Sequence, residues 1–147
     1  MQRNGTQSYR KTNVMTADPK RLVLMCYDGA IDTLKIGKQR MAERDYEGKS
    51  KAFTKAQDII NELLCALDFE KGGSVAKNLD SLYNYMLRRI IEADLKKNVG
   101  AIDEVIAMLS ELKTAWEEIF YQRANEVRTG DMKFDGERRL VLGTVSA

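Results

Sequence analysis

Four successive stretches of the chain repeat apolar residues at spacings of three, four and seven, with only a few polar residues or glycines between one stretch and the next. A chain patterned this way hides its apolar stripes by packing helix on helix. No strand alternation precedes residue 124, and no internal repeat marks a solenoid. Each stretch is roughly 20 to 25 residues, or about 30 to 37 Å as a helix. Matched lengths and short connections favour antiparallel neighbours. The expected fold is all-α: an antiparallel up-down-up-down four-helix bundle over residues 18–123, with a mobile N-terminal arm (1–17) and a C-terminal extension (124–147).

The only proline, Pro19, follows Asp18, as a helix N-cap and first helical position require. The helix that starts here carries Leu22, Cys26, Ala30, Leu34 and Met41 on one stripe, with Val23 and Met25 beside it, and runs to about Glu43. Gly29 and Gly37 lie inside it, each at a cost of about 1 kcal/mol relative to alanine. They signal either close approach of another helix or simple tolerance. A second helix, from Tyr46 to about Phe69, carries Phe53, Ala56, Ile60, Leu63 and Leu67, with Ile59, Cys65 and Ala66 alongside. Lys71, Gly72 and Gly73 are expected to end it, and Ser74 to cap the next. The third, Val75 to Leu95, places Leu79, Leu82, Met86, Ile90 and Ala93 on its stripe, flanked by Tyr83, Leu87 and Ile91. Lys96, Lys97 and Asn98 put positive charge at its C-terminus. The fourth, Ala101 to Arg123, repeats the pattern with Ile102, Val105, Leu109, Leu112, Trp116 and Ile119.

Composition narrows the function. With no histidine, the chain has no histidine-based triad, no histidine zinc site and no Glu-x-x-His di-metal bundle site. No phosphate loop is present, and adjacent acids such as Glu117 and Glu118 do not face each other as an acid–base pair. The expectation is a binding protein without cofactor or metal, not an enzyme. A net charge of +2 with mixed signs throughout argues against a nucleic-acid partner. No run approaches the roughly 20 apolar residues of a membrane span, and the first residues lack the apolar middle of a signal peptide, so a cytoplasmic location without membrane insertion is expected. Cys26 and Cys65 fall in apolar patterns and read as reduced core thiols. Arg88 and Glu92 suit an i,i+4 ion pair, with anion recognition by Arg88 and Arg89 as the alternative.

The last three helices carry more apolar residues than one shared core needs. Ile59, Leu64, Ile91, Ile106, Met108 and Phe120 are the surplus. These residues either edge the core or line grooves that accept a partner helix through anchors at i, i+3, i+4 and i+7, with Met25, Met86 and Met108 as adaptable contacts. In the C-terminal extension, glycines at 130, 136 and 143 interrupt any helical period around Leu140, Val141 and Leu142. It reads as a loosely packed tail or, more sharply, as a stretch from Leu140 to Val145 that fills a surface groove in place of a ligand.

The ordered motifs resemble those of the flagellin-specific export chaperone family, FliS. VMTADP at 14–19 followed by LVLMCYDGAI at 22–31 is similar to the family's first helix, and KAQDIINEL at 55–63 with LDFEKGG at 67–73 to its second helix and turn. Asn78 and Leu79 with LYNYMLRR at 82–89 resemble the third, and Leu109 to Trp116 the fourth, so the resemblance spans about residues 9–122. It implies a cytoplasmic chaperone that holds the C-terminal segment of flagellin, prevents premature polymerisation and presents the subunit to the flagellar type III export apparatus. A flagellar export gate component is thereby implied as a second partner. The resemblance carries Tyr9 and Val14 over as arm residues near the client groove. Tyr27, Asp28, Gly29, Tyr83 and Tyr85 also match, with packing an equal reading. The expected partner contacts are Tyr9, Val14, Met25, Ile59, Leu64, Tyr83, Met86, Ile91, Ile106 and Met108. The extension after residue 124 departs from the family's short end. The alternative function is a helical adaptor that associates weakly with itself or with another helical protein.

Overall fold

The computed structural model describes residues 18–122, and every regular element among them is helical. Helix α1 spans Pro19–Ala42, α2 Tyr46–Cys65, α3 Phe69–Lys96 and α4 Val99–Glu117, which continues into a π-helical turn, Glu118–Gln122. Each helix starts on a side chain that accepts otherwise unpaired amides. The Asp18 carboxylate accepts from the Arg21 N–H at 2.9 Å, Asp45 from Gly48 at 2.9 Å and the Asn98 side-chain oxygen from Ala101 at 3.2 Å. Asp68 accepts from both Glu70 and Lys71, at 3.0 and 3.1 Å. Each cap contributes about 1 kcal/mol.

Asp68 explains a correction to the sequence reading. The second helix ends at Cys65 rather than near Phe69. Asp68, by satisfying two amides, starts an extra first turn at Phe69. The main body of α3 begins after a break at Gly73, next to the start expected at Ser74. Gly73 adopts φ +53° and ψ −127°, a conformation that residues with a Cβ rarely adopt, and kinks α3 between its first turn and its main body.

The helices form a closed ring in which α1 packs on α2 and α4, and α3 packs on the same two from the opposite corner. Two ion pairs show that α1 and α4 run antiparallel: Asp28–Lys113 at 2.6 Å and Lys38–Asp103 at 2.5 Å, ten residues apart on each helix in reversed order. The α1–α2 seam is the tightest, for the reason the internal glycines suggested. A Cβ on Gly37 would run into the ring of Phe53, and one on Gly29 would stand 3.3 Å from the Ile59 Cδ1.

The core contains most of the expected stripes, with a shift in α1. Leu24, Tyr27, Ile31 and Leu34 are buried, whereas Leu22 and Cys26 are only half-buried. A stripe continued by fours drifts about 40° around the helix per step, whereas alternating threes and fours stays on one face. Cys65, expected in the core, is exposed, because it is the last residue of α2, where the chain leaves the bundle. Near the other terminus of the ring, Trp116 and Phe120 stack at 5.9 Å between centroids, and both are buried.

Two polar clusters lie within this apolar frame. The Tyr27 and Tyr83 hydroxyls hydrogen-bond to each other at 2.5 Å, and the Trp116 Nε1–H donates to the Tyr27 oxygen at 3.0 Å, joining α1, α3 and α4. Burial raises both tyrosine hydroxyls above the ordinary phenol pKa, Tyr83 strongly, so both stay neutral. The second cluster centres on Lys49, only 5% exposed, which the sequence reading did not anticipate. Its Nζ lies 2.8 Å from Asp94 Oδ1 and donates to the Asp94 carbonyl at 3.0 Å, while Ser50 Oγ donates to the same carboxylate at 3.1 Å. These bonds tie α2 to α3. Arg89, not Arg88, pairs with Glu92, at 3.1 Å, because Arg89 is also drawn to Glu104 across the seam.

Candidate partner-binding surface

The four seams of the ring are closed to different degrees. Small residues close α1–α2, and the two spaced ion pairs span α1–α4. The seams on either side of α3 are tied mainly at one end. Asp94 binds Lys49 and Ser50 on the α2 side. On the α4 side, Glu104 accepts from Arg89 Nε at 2.7 Å and from the Tyr85 hydroxyl at 2.8 and 2.9 Å. The Tyr85 hydrogen bond, followed by that of Arg89, holds the Glu104 carboxyl below its usual pKa and keeps it charged.

Beyond the Glu104 tie, the α3–α4 seam turns apolar. Leu82 stands seven residues before Arg89 and Val75 seven before Leu82, so both share the α4-facing side of α3 with Arg89. On α4, Met108 follows Glu104 by one turn, and Leu112 and Ile119 continue that edge. Val75, Met108, Leu112 and Ile119 are half-buried against the core, and Leu82 is 36% exposed. From Met108 to Ile119 the edge runs about 16 Å, or three helical turns. Its α4 rim is acidic: Glu104, Glu111 and Glu118 recur every seven residues, and the latter two are exposed. The result is an apolar floor of helical-ligand length beside a row of carboxylates.

The residues expected to contact a partner do not converge. Met25 is exposed on α1, and Ile59 is turned into the α1–α2 seam against Gly29. Leu64 shares the α3-facing side of α2 with Ser50, and Ile91, 48% exposed, lies one turn before Asp94 on the α2-facing side of α3. Ile106 lies on the side of α4 that bears Asp103 and Lys113, towards α1. Met108 is the one member in the α3–α4 groove. Tyr83 and Met86 need correction as contact residues, being 2% and 0% exposed. The helical 3-4 alternation Leu79, Tyr83, Met86, Ile90 carries them into the core and moves Leu82 to the edge. Tyr9 and Val14 lie outside the described residues. The sequence reading missed Val75 and Leu82 as groove residues, although their seven-residue register with Arg89 marks them.

The sequence that folds into this bundle is matched by known proteins. The family model described as "Flagellar protein FliS" matches residues 1–123. The chain belongs to the FliS family. It is 39% identical over 121 residues to the flagellar secretion chaperone FliS of Salmonella typhimurium, covering 79% of this chain and 90% of that one. The protein of the same name from Vibrio cholerae is 38% identical over 121 residues, covering 80% and 89%, and that from Bacillus subtilis 30% identical over 115, covering 78% and 85%. The family match ends at residue 123, one residue beyond the π-helical turn, so residues 124–147 are additional to it. FliS relatives are named as chaperones, a binding role that an open apolar seam suits.

Proposed function

We propose that this protein is a cytoplasmic flagellar export chaperone that binds the C-terminal segment of flagellin, prevents its premature polymerisation and presents it to the flagellar type III export apparatus. The observation that carries this reading is the α3–α4 groove in a FliS-family bundle: a half-buried apolar floor of three helical turns, bounded at one end by the Arg89–Glu104–Tyr85 tie. A disordered client that folds as an amphipathic helix gains apolar burial there and loses ordering entropy, which keeps the complex releasable. Release then comes from transfer at an export gate component, with no bond made or broken by the chaperone. Ile91 and Leu64 border the α2–α3 seam and would serve a client that wraps beyond one groove. No described helix is long and apolar enough to cross a membrane, which accords with a freely diffusing carrier.

The test is titration calorimetry with the last roughly 40 residues of the organism's own flagellin, enough for several helical turns. Saturable one-to-one binding with a negative heat-capacity change is expected. Leu82→Glu and Met108→Glu should each weaken it at least tenfold, because a charge would then face an apolar helix in the groove. Absence of binding by the folded protein would favour the helical adaptor instead.

A further inference from the structure

The groove has features that match a second ligand within the same chain. Its α4 rim carries Glu104, Glu111 and Glu118 at seven-residue intervals, and only Glu104 has a cationic partner among the described ion pairs, Arg89. Glu111 and Glu118 thus present two exposed carboxylates beside an apolar floor. In the segment that lies beyond both the described residues and the family match, Arg138 and Arg139 are followed directly by Leu140, Val141 and Leu142, with no acid from residue 138 to the end of the sequence. Two cations next to a short apolar run are the complement of two carboxylates next to an apolar strip. Arginine also suits this role, since its planar fork matches a carboxylate.

The connection is long enough. The π-helical turn ends at Gln122, at the end of α4 nearest Ile119 and Glu118. The residues from there to Arg138 span up to about 50 Å when extended, more than the roughly 28 Å length of α4. The segment can therefore turn back along the groove from its open end. Tethering gives it an effective concentration on the order of millimolar, so even weak contacts fill the site.

We propose that residues 138–145 of this chain occupy its own α3–α4 groove, with Arg138 and Arg139 against Glu111 and Glu118 and Leu140 to Val145 over Leu82, Met108 and Leu112. The occupant is displaceable. A segment docked nine-tenths of the time lowers the apparent affinity of any competing ligand about tenfold. In this way the segment regulates the groove assigned above to flagellin, and that consequence rests on the client reading, whereas the docking itself does not.

Photocrosslinking of the full chain tests the docking. Leu82→p-benzoylphenylalanine puts the probe on the groove edge, where the side chain is already partly exposed, and Ile36→p-benzoylphenylalanine on α1, diagonal to α3, is the control. Trypsin cuts after Arg139 and releases residues 140–147 as one peptide. The expected result is an adduct between position 82 and that peptide in monomeric protein, with a yield independent of protein concentration. Glu111→Gln with Glu118→Gln should lower the yield several-fold, and Leu140→Asp with Leu142→Asp should remove it. No adduct, an equal adduct from position 36, or an adduct found only between two copies overturns the proposal. Adding the flagellin segment separates the two readings. Loss of the adduct supports competition at this groove, while an undiminished adduct keeps the docking and rules out this groove as the client site.

Discussion

Replacing Gly37 and Gly29 by alanine in separate variants should change stability in opposite directions, although both glycines lie mid-helix on the same seam. Alanine gains about 1 kcal/mol of helix propensity at either site. At Gly37 the new methyl collides with the Phe53 ring, which is fully buried in the core. Overpacking of this kind costs about 1 to 3 kcal/mol, and the depth of the overlap points to the upper end. The net effect is a loss of about 2 kcal/mol. For the roughly 105 described residues the unfolding entropy is about 220 cal/mol/K, so the midpoint should fall by about 9 °C. At Gly29 the new methyl meets only the flexible end of Ile59, which is half-buried and 3.3 Å away, so Gly29→Ala should gain about 0.5 kcal/mol. Thermal melts by far-ultraviolet circular dichroism, with urea titrations for free energies, measure both. Adding Phe53→Leu to the Gly37→Ala variant should recover part of the loss, with a coupling of about 1 kcal/mol in the double-mutant cycle. If both alanines act in the same direction, or the cycle shows no coupling, the close-approach argument for the α1–α2 seam is wrong.

Other consequences can be checked in the same assays. Tyr27 and Tyr83 have folded-state pKa values above the ordinary value near 10, so their contribution is intact below about pH 10 and declines as pH rises. Urea midpoints should accordingly fall between pH 10 and 11, and Tyr83→Phe should make that fall shallower; an unchanged slope would contradict the burial argument. Lys49→Ala should cost about 2 kcal/mol by leaving Asp94 short of its partner, whereas Lys49→Met, which keeps the packed stem, should cost clearly less. Equal losses in urea denaturation would assign the effect to the lost Asp94 bonds, with no share for the packed stem. Gly73→Ala should cost about 1 to 3 kcal/mol even though the space around its Cβ is open, because φ is +53°; a neutral result by thermal melting would show that α3 straightens without penalty.

The sequence by itself determined the helices and their order. Apolar recurrence sets their number, Asp18 before Pro19 sets where the first begins, and Lys96 to Asn98 where the third gives way to the fourth, because these signals act within one or two turns of chain. Its motif order also indicated the family, which the match over residues 1–123 shows. Only the tertiary structure decided which residues face the core and which the groove. Leu82 and Tyr83 are neighbours about 100° apart on the helix, and either continues the stripe from Leu79, by a step of three or of four; the packing takes Tyr83 to the centre and leaves Leu82 at the edge. Lys49 shows a different limit: its register four residues before Phe53 places it on the core side of α2, unlike Lys51, but only the fold brings Asp94, 45 residues away, to satisfy its charge there. The proposed partner surface is the edge of α3 and α4 that such long-range contacts leave half-buried, and those contacts join side chains remote in sequence.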